Sequence, residues 1–115
     1  MKAKTLLPLL FLAHLCRAAI VVPGANGTDG ELNITANTVI DLSDAVTGVW
    51  DQDNTANLSK GVYDPAKWAV VFKYTDVTIA AGATVTFKNH PSRAPVVWLV
   101  SGHVTSNGTV SLDGA

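Results

Sequence analysis

The chain holds one cysteine, Cys16, in 115 residues. That excludes a disulfide framework and any zinc site built from several thiolates. Charge is also sparse: charged residues make up 15% of the sequence and the formal net charge is −1. A strongly basic nucleic-acid binder is therefore excluded. No apolar stretch reaches the roughly 20 residues a spanning helix needs; the run Leu6–Leu15 stops at ten, which predicts no membrane span. Apolar residues, by contrast, make up 48%, too many for a chain that stays disordered. The length allows one small domain.

The first eighteen residues read as an address. Lys2 and Lys4 give a positive start, LLPLLFLAHL follows, and Cys16-Arg17-Ala18 places small residues ahead of a cut before Ala19. This is the three-part layout of a secretory signal peptide. The competing reading, a buried amphipathic helix, fails because Leu6, Leu7, Leu9, Leu10, Phe11 and Leu12 would cover every helical face. A lipid anchor on Cys16 would want a small residue before it, and Leu15 stands there. Removing 1–18 leaves Lys60, Lys67, Lys73, Lys88 and Arg93 against nine acids, a net charge of −4, and no cysteine. The exported chain must then hold together by packing alone.

Beyond residue 19, Val dominates the apolar residues and is joined by Ile, Thr, Tyr, Phe and Trp, which suit a pleated surface. Strands are predicted at Glu31–Thr35, Thr38–Leu42, Trp68–Tyr74, Val77–Ile79, Thr84–Lys88, Val96–Val100 and Thr109–Leu112. No sustained period near 3.6 appears. Pro23–Gly30 reads as a turn-rich loop. Ser43–Lys67 reads as a long irregular loop, unusual in a compact domain and suited to covering the end of a core with Trp50 and Tyr63, with Trp68 and Trp98 beneath.

Three stretches share one pattern: LNITANTVIDL at 32–42, VTIAAGATVTF at 77–87 and VTSNGTVSL at 104–112. Val70 to Val97 and Val77 to Val104 are each 27 residues, Val85 to Val110 is 25, and Leu32 to Val77 is 45. A period of 20–30 residues with two or three short strands per unit predicts a β-solenoid, in which each strand pairs in parallel with its equivalent one coil away. The expected fold is all-β: the start of a right-handed parallel β-helix of about two coils, with 19–67 as an N-terminal cap and 68–115 as coils. A small antiparallel β-sandwich, whose strands recur every 8–12 residues, is the alternative. The unbroken run Val96–Val100 predicts a strand buried on both faces. The sequence stops at Ser111-Leu112-Asp113-Gly114-Ala115, in a turn after a strand, which predicts either the start of a longer protein or an open end that pairs with something else.

The segment WAVVFKYTDVTIAAGATVTFKNHPSRAPVVWLVSGHVTSNGTVSLDGA resembles the N-terminal coils of large secreted bacterial right-handed parallel β-helix proteins, with the similarity reaching over about residues 29–115. The resemblance implies an extracellular or cell-surface structural role. It carries over no catalytic residue.

Candidate sites are few. His90 and Arg93 in Asn89-His90-Pro91-Ser92-Arg93 read either as an anion or sugar-carboxylate cluster or as a rigid turn fixed by Pro91 and Pro95; the turn is the simpler account. His103 reads as an exposed side chain, and two histidines without an HExxH spacing define no zinc site. Asp51-Gln52-Asp53-Asn54 departs from a calcium loop at Thr55, Ala56 and Val62; a looser site would use Asp51, Asp53 and Asp64. Asp76 has no second acid one coil on, as paired-carboxylate hydrolysis would need, and no GxSxG elbow is present. Thr84-Val85-Thr86 is a single copy of a pattern that ice-binding solenoids repeat. Asn26, Asn33, Asn57 and Asn107 each head a glycan acceptor triplet, more simply read as Asn/Thr-rich turns. The sequence therefore predicts no catalytic, cofactor-binding or metal site and no cofactor. It predicts a secreted, non-enzymatic scaffold or adhesive segment. The second reading is the N-terminal part of a carbohydrate-binding or polysaccharide-cleaving β-helix acting beyond residue 115. Surface polysaccharide and further coils are the expected partners.

Overall fold

The computed structural model describes residues 24–51 and 59–112. The predicted leader at 1–18, with Cys16, and the loop residues Asp53 and Asn57 lie outside the described residues. The described chain is all-β. Its strands are β1 (Leu32–Ile34), β2 (Thr38–Asp41), β3 (Val46–Thr47), β4 (Val62–Asp64), β5 (Ala69–Tyr74), β6 (Val77–Ile79), β7 (Thr84–Lys88), β8 (Val96–Val100), β9 (Val104–Ser106) and β10 (Thr109–Val110), with one 3-10 turn at Leu42–Asp44.

The strands form three short sheets, ordered β1-β6-β9, β2-β7-β10 and β3-β4-β5-β8. Six of the seven pairings are parallel; β4 against β5 is antiparallel. Consecutive passes of the chain lie on one another. The stretch β8–β9–β10 pairs strand for strand with β5–β6–β7, and β1–β2 pairs with β6–β7. Parallel neighbours need a long connection between them, and here that connection is the rest of each pass.

The register stacks like on like. Leu32 faces Val77 and Val77 faces Val104. Val85 faces Val110, and Phe72 faces Trp98. One landmark moves by a residue: Val70 pairs with Val96, and Val97 with Val71. Alternation along each strand aims Val77, Ile79, Val85, Phe87, Val70, Phe72 and Tyr74 into one core with Ile34, Leu42, Ala83 and Ala94. Between passes the backbones approach so closely that a Cβ on Gly108 would lie 2.6 Å from the Ala80 carbonyl oxygen. Only glycine fits where one turn rests on another.

Three local expectations are corrected. The stretch 43–67 is not simply loop: it contains β3 and β4, and β4 covers one side of β5. Consequently β5, flanked by β4 and β8, is the strand buried at every residue. The apolar run of β8 instead has a neighbour on one side only and is half-buried, with Val97 exposed. Finally, Trp68 is not packed under a cap; it stands 53% exposed.

Candidate functional site

Two features stand out, and both belong to the β8 side. The first is the edge made by β8, β9 and β10. Each is a terminal strand of its sheet, and Val96–Val100, Val104–Ser106 and Thr109–Val110 include no charged residue. Val97, Val104, Val110 and Leu112 are exposed, Leu112 by 75%. Phe87, Val96, Trp98, Val110 and Leu112 line a recess of about 200 Å³. Within the described residues, the buried indole N–H of Trp98 has no hydrogen-bond partner. Proteins usually blunt such edges with charge, proline or a cover.

The opposite side is built differently. A recess of about 210 Å³ there is lined by Glu31, Asp41, Asp44 and Lys60 among others. Asp41 caps the 3-10 turn, accepting from the Ser43 hydroxyl at 2.5 Å and the Ser43 amide at 2.9 Å. The Ser43 hydroxyl, then the Ser43 amide, hold its carboxyl below the ordinary range, with a smaller contribution from Lys88; the Lys88 ammonium lies 3.6 Å away.

The second feature is the corner at Asn89–Pro95. Arg93 N–H donates to the His90 carbonyl (2.8 Å), closing a turn. The Ser92 amide donates to His90 Nδ1 (3.1 Å), so that nitrogen is an acceptor and the ring proton sits on Nε2; the Ser92 hydroxyl lies 2.8 Å from the same nitrogen. The imidazole stacks on Tyr63, centroids 4.2 Å apart. Trp68 donates its indole N–H to the Ser92 carbonyl (3.2 Å). The structure thus brings His90 and Arg93 to one turn, and joins to it Tyr63 and Trp68, which sequence reasoning assigned to packing.

The other candidates are scattered. The His103 amide donates to Asp76 Oδ1 (2.8 Å), so Asp76 holds backbone of the next pass. Asp64 is buried and binds backbone amides. Asp51 is exposed. Asn26, Asn33 and Asn107 are exposed, and Thr84 and Thr86 half-buried. Among the described residues no group of three or more His, Cys, Asp or Glu side chains is placed to hold a metal ion, and no helix is long and apolar enough to cross a membrane.

No family model, curated protein or solved structure matches the chain.

Tyr74 sits in the wall behind the edge, 5.6 Å from Phe72 and 5.8 Å, edge-on, from Trp98. Burial, and then the negative charge of Asp29, push its phenol well above the ordinary value of 10. The folded chain therefore keeps this proton at pH values where the unfolded chain releases it. Its contribution is complete below pH 10 and is lost as pH climbs above it. Urea midpoints measured from pH 8 to 11.5 should fall on the alkaline limb, and Tyr74→Phe should flatten that fall.

Proposed function

We propose that the chain is the capping end and first passes of an exported parallel β-helix, a scaffold or adhesive segment at the cell surface with no reaction of its own. The observation that carries this reading is the asymmetry between the two ends of the stack. One end is charged and partly closed by the 3-10 turn and β3–β4. Both ends present three terminal strands, β1, β2 and β3 at the first and β8, β9 and β10 at the other, but only the second set is wholly uncharged, over an apolar recess and an unpartnered indole N–H.

The interface between passes supports what that end receives. Val77 rests on Leu32 and under Val104, and Val85 under Val110. The open edge continues these rows with Val97, Val104 and Val110, so the natural occupant is a further pass of parallel strands with Val or Leu in the same places. Strand addition of this kind draws affinity from main-chain hydrogen bonds and specificity from alternate side chains. The apolar leader-like start and the resemblance to secreted β-helix proteins support the location. The rival reading, the N-terminal part of a carbohydrate-binding or polysaccharide-cleaving β-helix, places its active site beyond residue 115.

The test appends a copy of residues 89–112 to the full chain after Ala115. If the edge accepts a pass, the extended protein melts in one transition, about 5–15 °C above the parent, as a gain of about 2 kcal/mol in so small a domain implies. Val110→Lys, on the receiving edge, should erase the gain. An extended protein that melts no higher, or in two transitions, overturns the reading.

A further inference from the structure

We propose that Trp68 and Arg93 form a binding platform for an acidic sugar, a uronate-bearing glycan. The inference stands on the corner itself and does not depend on how many passes the stack has.

Trp68 is the observation to explain. It is bulky and apolar, yet it is 53% exposed and its backbone lies in the left-handed region at φ +49. Folding alone asks for neither property: Gly or Asn makes such a corner without strain, and a Trp stabilises a fold by being covered. Strained backbone at a side chain presented to solvent is the pattern of a functional position. The ring is also fixed in place. Its N–H is held by the Ser92 carbonyl, and the next residue, Ala69, is buried in β5. The residue nevertheless stays 53% exposed, its ring tethered by that hydrogen bond.

Arg93 repeats the signature. It is exposed and left-handed, at φ +59, and it follows the very carbonyl that holds Trp68. The two residues stand at the entries of neighbouring strands, Trp68 just before β5 and Arg93 three residues before β8, which pair from Val70 and Val96 onward. His90, pinned between Tyr63 and Ser92, keeps its proton on Nε2 as an available donor.

Charge selects the ligand. Arg93 is an exposed cation of the corner, and Lys67, next to Trp68 in the chain, holds its ammonium 5.8 Å over the Trp50 ring. Asp64, the acid on β4 beside it, is buried with both carboxylate oxygens engaged by the Ala66, Lys67 and Trp50 amides. A pyranose offers an apolar C–H face to an aromatic ring, and a uronate adds a carboxylate that a guanidinium binds in bidentate fashion. A small inorganic anion lacks the stacking surface; a neutral sugar lacks the charge.

The full chain should be titrated with an oligogalacturonate and with its carboxyl-reduced neutral counterpart, with binding followed by NMR shifts. Trp68→Asn and Arg93→Asn suit the left-handed backbone and so keep the fold. The expected result is shifts centred on residues 67–69 and 90–94 and a several-fold preference for the acidic oligomer. Trp68→Asn should weaken both ligands about tenfold, a difference near 1.4 kcal/mol. Arg93→Asn should bring the acidic ligand down to the neutral one, as should raising salt from 50 to 500 mM. Absence of binding, shifts elsewhere on the surface, equal affinity for the two oligomers, or a Trp68→Asn chain that binds unchanged would each overturn the proposal. Failure of the appended-pass experiment leaves this result untouched, since the corner is complete within the parent chain.

Discussion

Phe72→Ala should remove about a third or more of the stability of the chain. The side chain is fully buried on the central strand β5. It stacks on Tyr74 with ring planes 14° apart and faces Trp98 on the next pass. Truncating such a phenylalanine loses its transfer free energy and leaves a cavity, together about 3–5 kcal/mol. Domains of this size hold only about 5–15 kcal/mol in all, so the urea midpoint should fall by a third or more. The ring also has a back wall. Gly61, at φ +81, lies so near that an added Cβ would stand 2.9 Å from Phe72 Cζ. Gly61→Ala should therefore cost about 1–2 kcal/mol for the left-handed backbone and about 1–3 kcal/mol for the overpacked ring. Only the second part depends on Phe72. The double variant should accordingly lose less than the two single losses combined, by about 1–2 kcal/mol. Strict additivity would show that the ring does not press on the Gly61 backbone.

The strands around Phe72 were legible from sequence for a local reason. Val77-Thr78-Ile79 and Thr84-Val85-Thr86-Phe87 alternate cleanly, and β6 and β7 lie where that alternation puts them. The 27- and 25-residue offsets of Val77–Val104 and Val85–Val110 are the spacings at which those residues pair. What escaped was decided at a distance. β3 and β4 are two and three residues long, among Gly48, Gly61 and Pro65, and no local pattern marks them; β4 is a strand because it pairs with β5. The corner after β8 (Ser101, Gly102, His103) holds one residue more than the corner after β5 (Thr75, Asp76), so Val70 pairs with Val96 and not with Val97. The apolar run of β8 reads the same whether both sides are paired or one is left open. At the candidate site, His90 and Arg93 were visible as an unusual turn. Their partners were not: Tyr63 is 27 residues from His90, and whether Trp68 faces in or out is set by one backbone angle.

Asp64→Ala should be the most damaging change outside the apolar core. The acids Asp51, Asp53 and Asp64 suggest a cation site, but the buried Asp64 carboxylate spends its oxygens on backbone. Oδ1 accepts from the Ala66 amide at 2.9 Å and the Lys67 amide at 3.4 Å, and Oδ2 from the Trp50 amide at 3.2 Å. The residue thus turns the chain from β4 into β5 and ties the 50–51 segment to that turn. Hydrogen bonds to a charged acceptor contribute about 1.5–3 kcal/mol each and do not simply add, and donors left unmatched in a buried place cost more than the bond itself. A loss of about 3–4 kcal/mol is expected for Ala. Asn keeps one oxygen acceptor and turns an N–H donor toward the other amides, so Asp64→Asn should recover only part of it. Hydrogen exchange separates this account from a general loosening. The Trp50 and Ala66 amides should lose protection in Asp64→Ala well before the β6 and β7 amides do, while the Lys67 amide keeps its bond to the Asp64 carbonyl. Uniform loss of protection across the sheets, or an Asn variant as stable as the parent, would show that the carboxylate does not organise the turn.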